Sequence, residues 1–180
     1  MTGNAFACQV LESYVMTSSQ LRFVSAAQEE ALALTLLSEL AIEYSQRYGG
    51  TPGSHLAWLP VPPAELAPPD GGLLIGLLDG FPVTGGAFRR FDAETAELKR
   101  IWTDSAYRRR GYGKALLAAL EAETAARGYR RLYLVTGNRQ PEAEALYDAT
   151  GYTRVQVEPI PSWGQFYPIA FEKFLATRFL

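Results

Sequence analysis

Arg108-Arg109-Arg110-Gly111-Tyr112-Gly113-Lys114 is the stretch on which the reading of this chain turns. It joins a strand-like run, Glu94 to Thr103, to an amphipathic run, Gly111 to Arg127. In the second run Leu116, Leu117, Leu120 and Thr124 share one side, and Gly128 is placed to end a helix. The first turn of a helix leaves N–H groups without internal partners, and the helix dipole adds partial positive charge there. Gly111 and Gly113 remove side chains, so a phosphate can come close to that backbone, while the arginines add charge and forked donors. The segment reads as a pyrophosphate cradle. By residue type alone, a solvated basic helix start or a minor nucleic-acid patch fits about as well. The Gly-x-x-x-x-Gly-Lys-Ser/Thr spacing of a Walker loop is missing, and a Rossmann turn would follow the first strand of a parallel sheet.

Upstream of this junction the chain reads as an antiparallel meander. Gln20 to Ser25 is a short strand, Gly72 to Leu78 an apolar strand, and Asp79-Gly80 a hairpin signal with Pro82 to Arg90 as its partner. Between the first two strands, Ser25-Ala26-Ala27-Gln28 has capping-box spacing. A helix follows, with Leu32, Leu36, Leu37, Leu40 and Tyr44 on the core-facing side. Tyr48 to Pro69, rich in Gly and Pro, predicts a long loop with room for a short helical turn, and loops of that length are often functional. Downstream, Arg131 to Thr136 alternates as a strand, Pro141 to Thr150 is a short helix ended by Gly151, and Tyr152 to Val157 and Gln165 to Phe171 are β-rich. The sum is a mixed α/β domain with one strand–helix–strand crossover near its centre. Residues 1–19 read as an indistinct N-terminal extension, and 20–180 as a single domain.

Composition narrows the chemistry. The chain has 180 residues, 48% of them hydrophobic, which is enough for a core without disulfides or a structural metal. Cys8 is the single cysteine and His55 the single histidine, so no cysteine-rich zinc site and no two-histidine metal motif can form. His55 reads as an exposed loop histidine rather than a member of a catalytic triad. A net charge of -2 provides no global basic field for nucleic acid. The first residues lack a signal-peptide pattern, and no apolar run approaches the roughly 20 residues that span a bilayer. A soluble, cytoplasmic protein is expected.

Glu97-Leu98-Lys99-Arg100-Ile101-Trp102-Thr103 followed by Arg108-x-x-Gly111-x-Gly113 resembles the acetyl-CoA-binding core of the GCN5-related N-acetyltransferases (GNAT). That family carries Gln/Arg-x-x-Gly-x-Gly/Ala at the same strand-to-helix junction. Its second block, Asn, then Leu-Tyr, then Gly-Phe/Tyr, is similar to Asn138 followed by Leu146-Tyr147 and Gly151-Tyr152. The resemblance is clear from Gly72 to Val157 and plausible from Leu21. Two departures stand out: Thr103-Asp104-Ser105 replaces a common Val-x-Pro, and Arg109 stands where a small residue is frequent. Neither removes a backbone donor.

The resemblance implies a central, mostly antiparallel twisted sheet with flanking helices, built around one acetyl-CoA-binding crossover. It implies that the backbone of Ile101, Trp102 and Thr103 pairs with the pantetheine arm, and that Arg108, Arg109, Arg110, Gly111, Tyr112, Gly113 and Lys114 hold the pyrophosphate. The acetyl group would pass directly to an acceptor amine, without metal or covalent intermediate. Glu97 would be the general base, acting through a water. A strand glutamate paired with Lys99 or Arg100 is an equally good reading of that residue. Tyr147 would serve the CoA sulfur as acid or hydrogen-bond donor. Asn138 would contact the cofactor, cap the helix from Pro141, or do both. Tyr44, Tyr48, Trp58, Trp163 and Phe166 are candidates for the acceptor pocket. Family analogy implies a homodimer. Two rival functions are a catalytically silent acyl-CoA-binding module and a nucleic-acid-binding protein using Arg108 to Lys114. Glu97 and Tyr147 argue against the first, and the acidic pI of about 5.5 argues against the second.

Overall fold

Each element follows from a local pattern, and a few residues decide how the elements meet. A computed structural model describes residues 20–158, 161 and 165–176; the extension 1–19, with Cys8, and Trp163 lie outside the described residues. Strand β1 (Leu21–Ser25) leads to helix α1 (Ala31–Tyr48) and the one-turn helix α2 (Pro52–Leu56). Strands β2 (Gly72–Leu78), β3 (Phe81–Arg90) and β4 (Thr95–Thr103) form the meander. Helix α3 (Tyr112–Ala126), strand β5 (Arg131–Gly137), helix α4 (Pro141–Ala149) and strands β6 (Thr153–Val155) and β7 (Pro168–Phe174) complete the chain. The sheet order is β1-β2-β3-β4-β5-β7-β6, antiparallel except for the β4–β5 pair, which α3 links as a crossover. The mixed α/β architecture expected from the sequence is therefore observed.

The sheet carries a core on each face. Leu116, Leu117 and Leu120 of α3 pack on Leu98, Leu132 and Leu134 from one side. Leu36, Leu37 and Leu40 of α1 pack on Leu73, Ile75 and Leu77 from the other. Strand β2 is apolar at nearly every position because it is covered on both faces. Asp79 (φ 51°) and Gly80 (φ 86°) both take left-handed conformations, the two-residue turn that matches strand twist.

Two local expectations are corrected. Ser25 to Gln28 is not a capping box: α1 begins at Ala31, with Glu30 as N-cap and no side-chain cap bond. Gln28 instead docks the following loop, its amide donating to Val61 O (2.8 Å) and accepting from Val61 N–H (3.1 Å). Replacing Gln28 by Ala leaves a backbone donor and acceptor without these partners. A loss of about 1–3 kcal/mol in urea unfolding is expected, and an unchanged midpoint would show that water replaces the amide. His55 is likewise not exposed: it lies on α2 at 9% exposure, with Nε2 2.8 Å from Gly49 O. The local composition suggested a bare loop, whereas a capping box between Thr51 and Ser54 winds that loop into a turn that folds His55 under Tyr44 and Trp58.

Candidate active site

The decisive irregularity lies in β4. Ala87 pairs with Lys99 and Gly85 with Trp102, so two steps on β3 oppose three on β4, and Arg100 takes a left-handed φ of 58°. This is a β-bulge. It keeps Leu98 and Ile101 on the α3 side while sending Trp102 into the α1 core. Gly86 lies opposite the bulge because a Cβ there would meet Ile101 Cδ1 at 2.7 Å. The β4–β5 ladder ends at Leu98–Leu134, whereas β5 continues to Gly137 along β7. Beyond Leu98 the strands diverge, and the β5-facing backbone of β4 has no partner strand.

The glycine turn closes the far end of this cleft. Gly111 is the N-cap of α3 in a left-handed conformation (φ 84°), following Arg109 at φ 62°. The first backbone bond across the helix start runs from Ala115 N to Gly111 O, so the N–H groups of Tyr112, Gly113 and Lys114 point forward without helical partners. The two glycines serve different needs. Gly111 has open space around its missing Cβ and is required by its φ, whereas a Cβ on Gly113 would press Leu146 of α4 at 3.1 Å.

A cavity of about 450 Å³ fills the cleft between this turn, the end of β4 and α4. Ile101, Trp102, Thr103, Arg108, Arg109, Gly111, Tyr112, Gly113 and Lys114 all line it, so the structure brings these sequence candidates together. Arg110 lies outside the lining, over the Tyr107 ring (5.3 Å). Arg108 lines the wall but is already engaged, with Nη2 2.7 Å from Glu43 and Nε donating to Thr103 O. Glu43 also pairs with Arg47, which reaches Glu142 with both Nη groups (2.7 and 3.0 Å) and so ties α1 to α4 across the mouth. The Arg47 hydrogen bond holds the Glu142 carboxyl below its usual range. Among the described residues, Arg109 and Lys114 line the cavity without an ion pair. Those two carry the free positive charge.

A second, smaller cavity of about 50 Å³ adjoins it where β4 and β5 part. Tyr44, Lys99, Arg100, Thr136 and Tyr147 line it, and Ile101 and Gln140 line both spaces. Tyr147 is packed on Phe171 (5.2 Å) and Tyr152 (5.7 Å), and its hydroxyl makes no hydrogen bond within the described residues. Burial, aided by the neighbouring Tyr44 phenol, pushes its pKa up, so it stays protonated at physiological pH.

Glu97 and Asn138 are placed differently. Glu97 lines neither cavity; its carboxylate accepts from Arg89 Nε (2.7 Å) and Lys99 Nζ (3.0 Å). Burial alone would raise its pKa, but Lys99 and Arg89 outweigh burial and hold it below the usual carboxylate range. A folded-state pKa below the unfolded value adds stability that is fully present above about pH 4.3 and is lost as pH falls through the depressed value. Glu97→Gln is therefore expected to cost about 1–3 kcal/mol at pH 7, with the gap to the parent closing below pH 4. A gap independent of pH would contradict the ion pairs. Asn138 exchanges two bonds with the Tyr167 backbone, outside both cavities, and the N-cap position of α4 is held by Gln140, without a side-chain cap bond. Sequence reasoning missed Gln140, Glu43 and Arg47. Only the place of Gln140 just before Pro141, at a helix start, hinted at the first.

Residues 35–152 match the acetyltransferase (GNAT) family profile. The chain belongs to that family. No functionally curated protein matches the chain in sequence. Among solved structures, a candidate acyl-CoA N-acyltransferase from Klebsiella pneumoniae is 26% identical (TM-score 0.67), the match covering 87% of this chain and 98% of that one. An aminoglycoside 6'-N-acetyltransferase complexed with coenzyme A shares the fold at 18% identity (TM-score 0.67; 88% and 99% covered). So does a GNAT acetyltransferase from Elizabethkingia anophelis with acetyl-CoA bound (18% identity, TM-score 0.59; 86% and 98% covered). The donor set of this chain fits a pyrophosphate followed by a thin polar arm. It offers three free helix N–H groups, two unpaired cations and an unpaired strand edge.

Among the described residues no group of three or more His, Cys, Asp or Glu is placed to hold a metal ion, and no helix is long and apolar enough to cross a membrane.

Proposed function

We propose that this chain is an acetyl-CoA-dependent N-acetyltransferase acting on an amine of a small molecule or peptide, with a single domain from residue 20 onward and as a homodimer in the cytoplasm. The observation that carries this reading is the junction of the two cavities. A buried, protonated Tyr147 with an unspent hydroxyl lines the small one, and the glycine turn of α3 closes the large one. Acetyl-CoA, as substrate, supplies the activated acetyl thioester. Tyr112 to Lys114 and Arg109 would bind its phosphates, and the free edge of Ile101 to Thr103 would orient its arm as an added strand.

Tyr147 donates a hydrogen bond toward the sulfur as charge grows there. A thiol pKa near 8.5 lies below that of a buried phenol, so the hydrogen bond itself, rather than full proton loss, is the main help. The acceptor ammonium, with a pKa of about 10, must lose a proton first. Glu97 would take it through a water, giving up part of its hold on Lys99 to do so. Asn138, fixed to Tyr167, would support the turn into α4 from behind the cofactor.

The test is acceptor-dependent release of free CoA thiol from acetyl-CoA across amines, amino acids, polyamines, aminoglycosides and peptide N-termini. An N-acetylated product with at least one class is expected. Tight CoA binding with no product from any class would favour a silent acyl-CoA-binding module. In the same assay Glu97→Gln should lower turnover by about 100-fold, as loss of a general base does. Full turnover would remove Glu97 from the proton path.

A further inference from the structure

Resting on the acetyltransferase reading, we infer that Arg100 forms an anion subsite in the acceptor pocket, so that the acceptor is an amino acid carrying its carboxylate next to the reacting amine. Three independent observations converge on this residue.

The first is charge. Lys99 and Arg89 share Glu97, and Arg89 also pairs with Glu65. Arg100, on the adjoining position, has no carboxylate within ion-pair distance among the described residues. Three cations thus face two carboxylates here, leaving one positive charge over. The second is hydrogen bonding. Nε of Arg100 donates to Leu59 O (2.8 Å), which fixes the plane of the guanidinium, while neither Nη group donates to any described residue. A half-buried fork with one edge anchored and the other unused is shaped for a bidentate oxyanion. The third is backbone. A non-glycine residue at φ 58° in mid-strand is uncommon and costs free energy, and such positions concentrate where a side chain must be aimed.

The surroundings narrow the ligand. Arg100 shares the 50 Å³ cavity with Tyr147 and Thr136. Both side chains line this one small space, so an amine attacking beside Tyr147 and an anion on Arg100 belong to one compact acceptor. An amino acid presents an amine and a carboxylate at that short range. Beyond the cavity, Trp58 stacks on Tyr44 (5.9 Å, 17°) and lies under the Arg100 guanidinium (5.6 Å), with half its surface exposed. It offers an apolar platform on which the acceptor's side chain can lie. Sequence reading singled out Tyr44 and Trp58 by type and offered Arg100 as a partner for Glu97, a place that Lys99 and Arg89 take instead.

The experiment compares wild-type kcat/KM for each of a set of amino acids with that for the matched amine lacking the carboxylate. Arg100→Asn is measured beside it, since asparagine tolerates the left-handed backbone. Calorimetry of CoA binding to the wild-type protein runs in parallel. At least one amino acid is expected to exceed its matched amine by about 30-fold or more, the scale of charge-assisted hydrogen bonds, and that ratio should fall to near one in Arg100→Asn. Equal use of amino acids and amines, or a carboxylate preference that survives Arg100→Asn, overturns the subsite. Preference for succinyl-CoA over acetyl-CoA with neutral amines overturns it too, by assigning the anion to the donor. CoA binding with no amino acid acetylated overturns the subsite and leaves the cofactor reading standing; no CoA binding overturns both.

Discussion

A protein carrying Gly111→Val and Gly113→Leu together is expected to lose CoA affinity by 100-fold or more. The two changes act by separate routes. Valine at Gly111 cannot easily hold a φ of 84°, so the turn that aims the N–H groups of Tyr112 to Lys114 relaxes. Leucine at Gly113 starts from a Cβ only 3.1 Å from Leu146 and 3.5 Å from Thr103 Oγ1, and it fills the space between α3 and α4 that borders the cavity. Each charge-assisted bond lost from backbone to phosphate is worth about 1.5–3 kcal/mol, so losing two gives the stated loss. The same substitutions cost stability, about 1–2 kcal/mol for the left-handed residue and a similar amount for overpacking against Leu146. Thermal unfolding therefore accompanies calorimetry of CoA binding. A folded double variant with unchanged affinity would sink the cradle.

Tyr147→Phe is expected to lower kcat by about 100-fold or more while acetyl-CoA affinity changes less than threefold. The split follows from the environment of the ring. Its apolar body packs on Phe171 and Tyr152 and is retained in phenylalanine, so neither the core nor the neighbouring cleft loses volume. Its hydroxyl has no partner among the described residues, so its removal orphans nothing in the protein. Stopped-flow transfer rates with separately measured dissociation constants make the comparison. A variant that transfers at the parental rate would reduce Tyr147 to a packing residue.

The fold was legible because period and punctuation agreed. The alternation of Arg131 to Thr136, the leucine spacing of α3 and the Asp79-Gly80 turn each name one structure. The order of the motif residues around Gly111 put a turn at the start of α3 for the same reason. What sequence did not reveal depends on long-range geometry. Nothing in Lys99-Arg100-Ile101 announces a bulge, yet the bulge parts β4 from β5 and sets Arg100 apart from its neighbours. Arg108 lines the cavity as expected, but a charge cluster does not show that one of its members also meets Glu43 from a helix 65 residues earlier. The same limit applies to His55, whose burial needs Tyr44 and Trp58 brought over it.

The central claim is that the cleft between the splayed strands receives acetyl-CoA. Hydrogen–deuterium exchange with and without CoA tests it most directly, because the proposed contacts are backbone amides. Protection by CoA is expected to centre on two segments, the end of β4 from Lys99 to Thr103 and the start of α3 from Arg109 to Leu116. Exchange in both segments that CoA leaves unchanged at saturating concentration would contradict it.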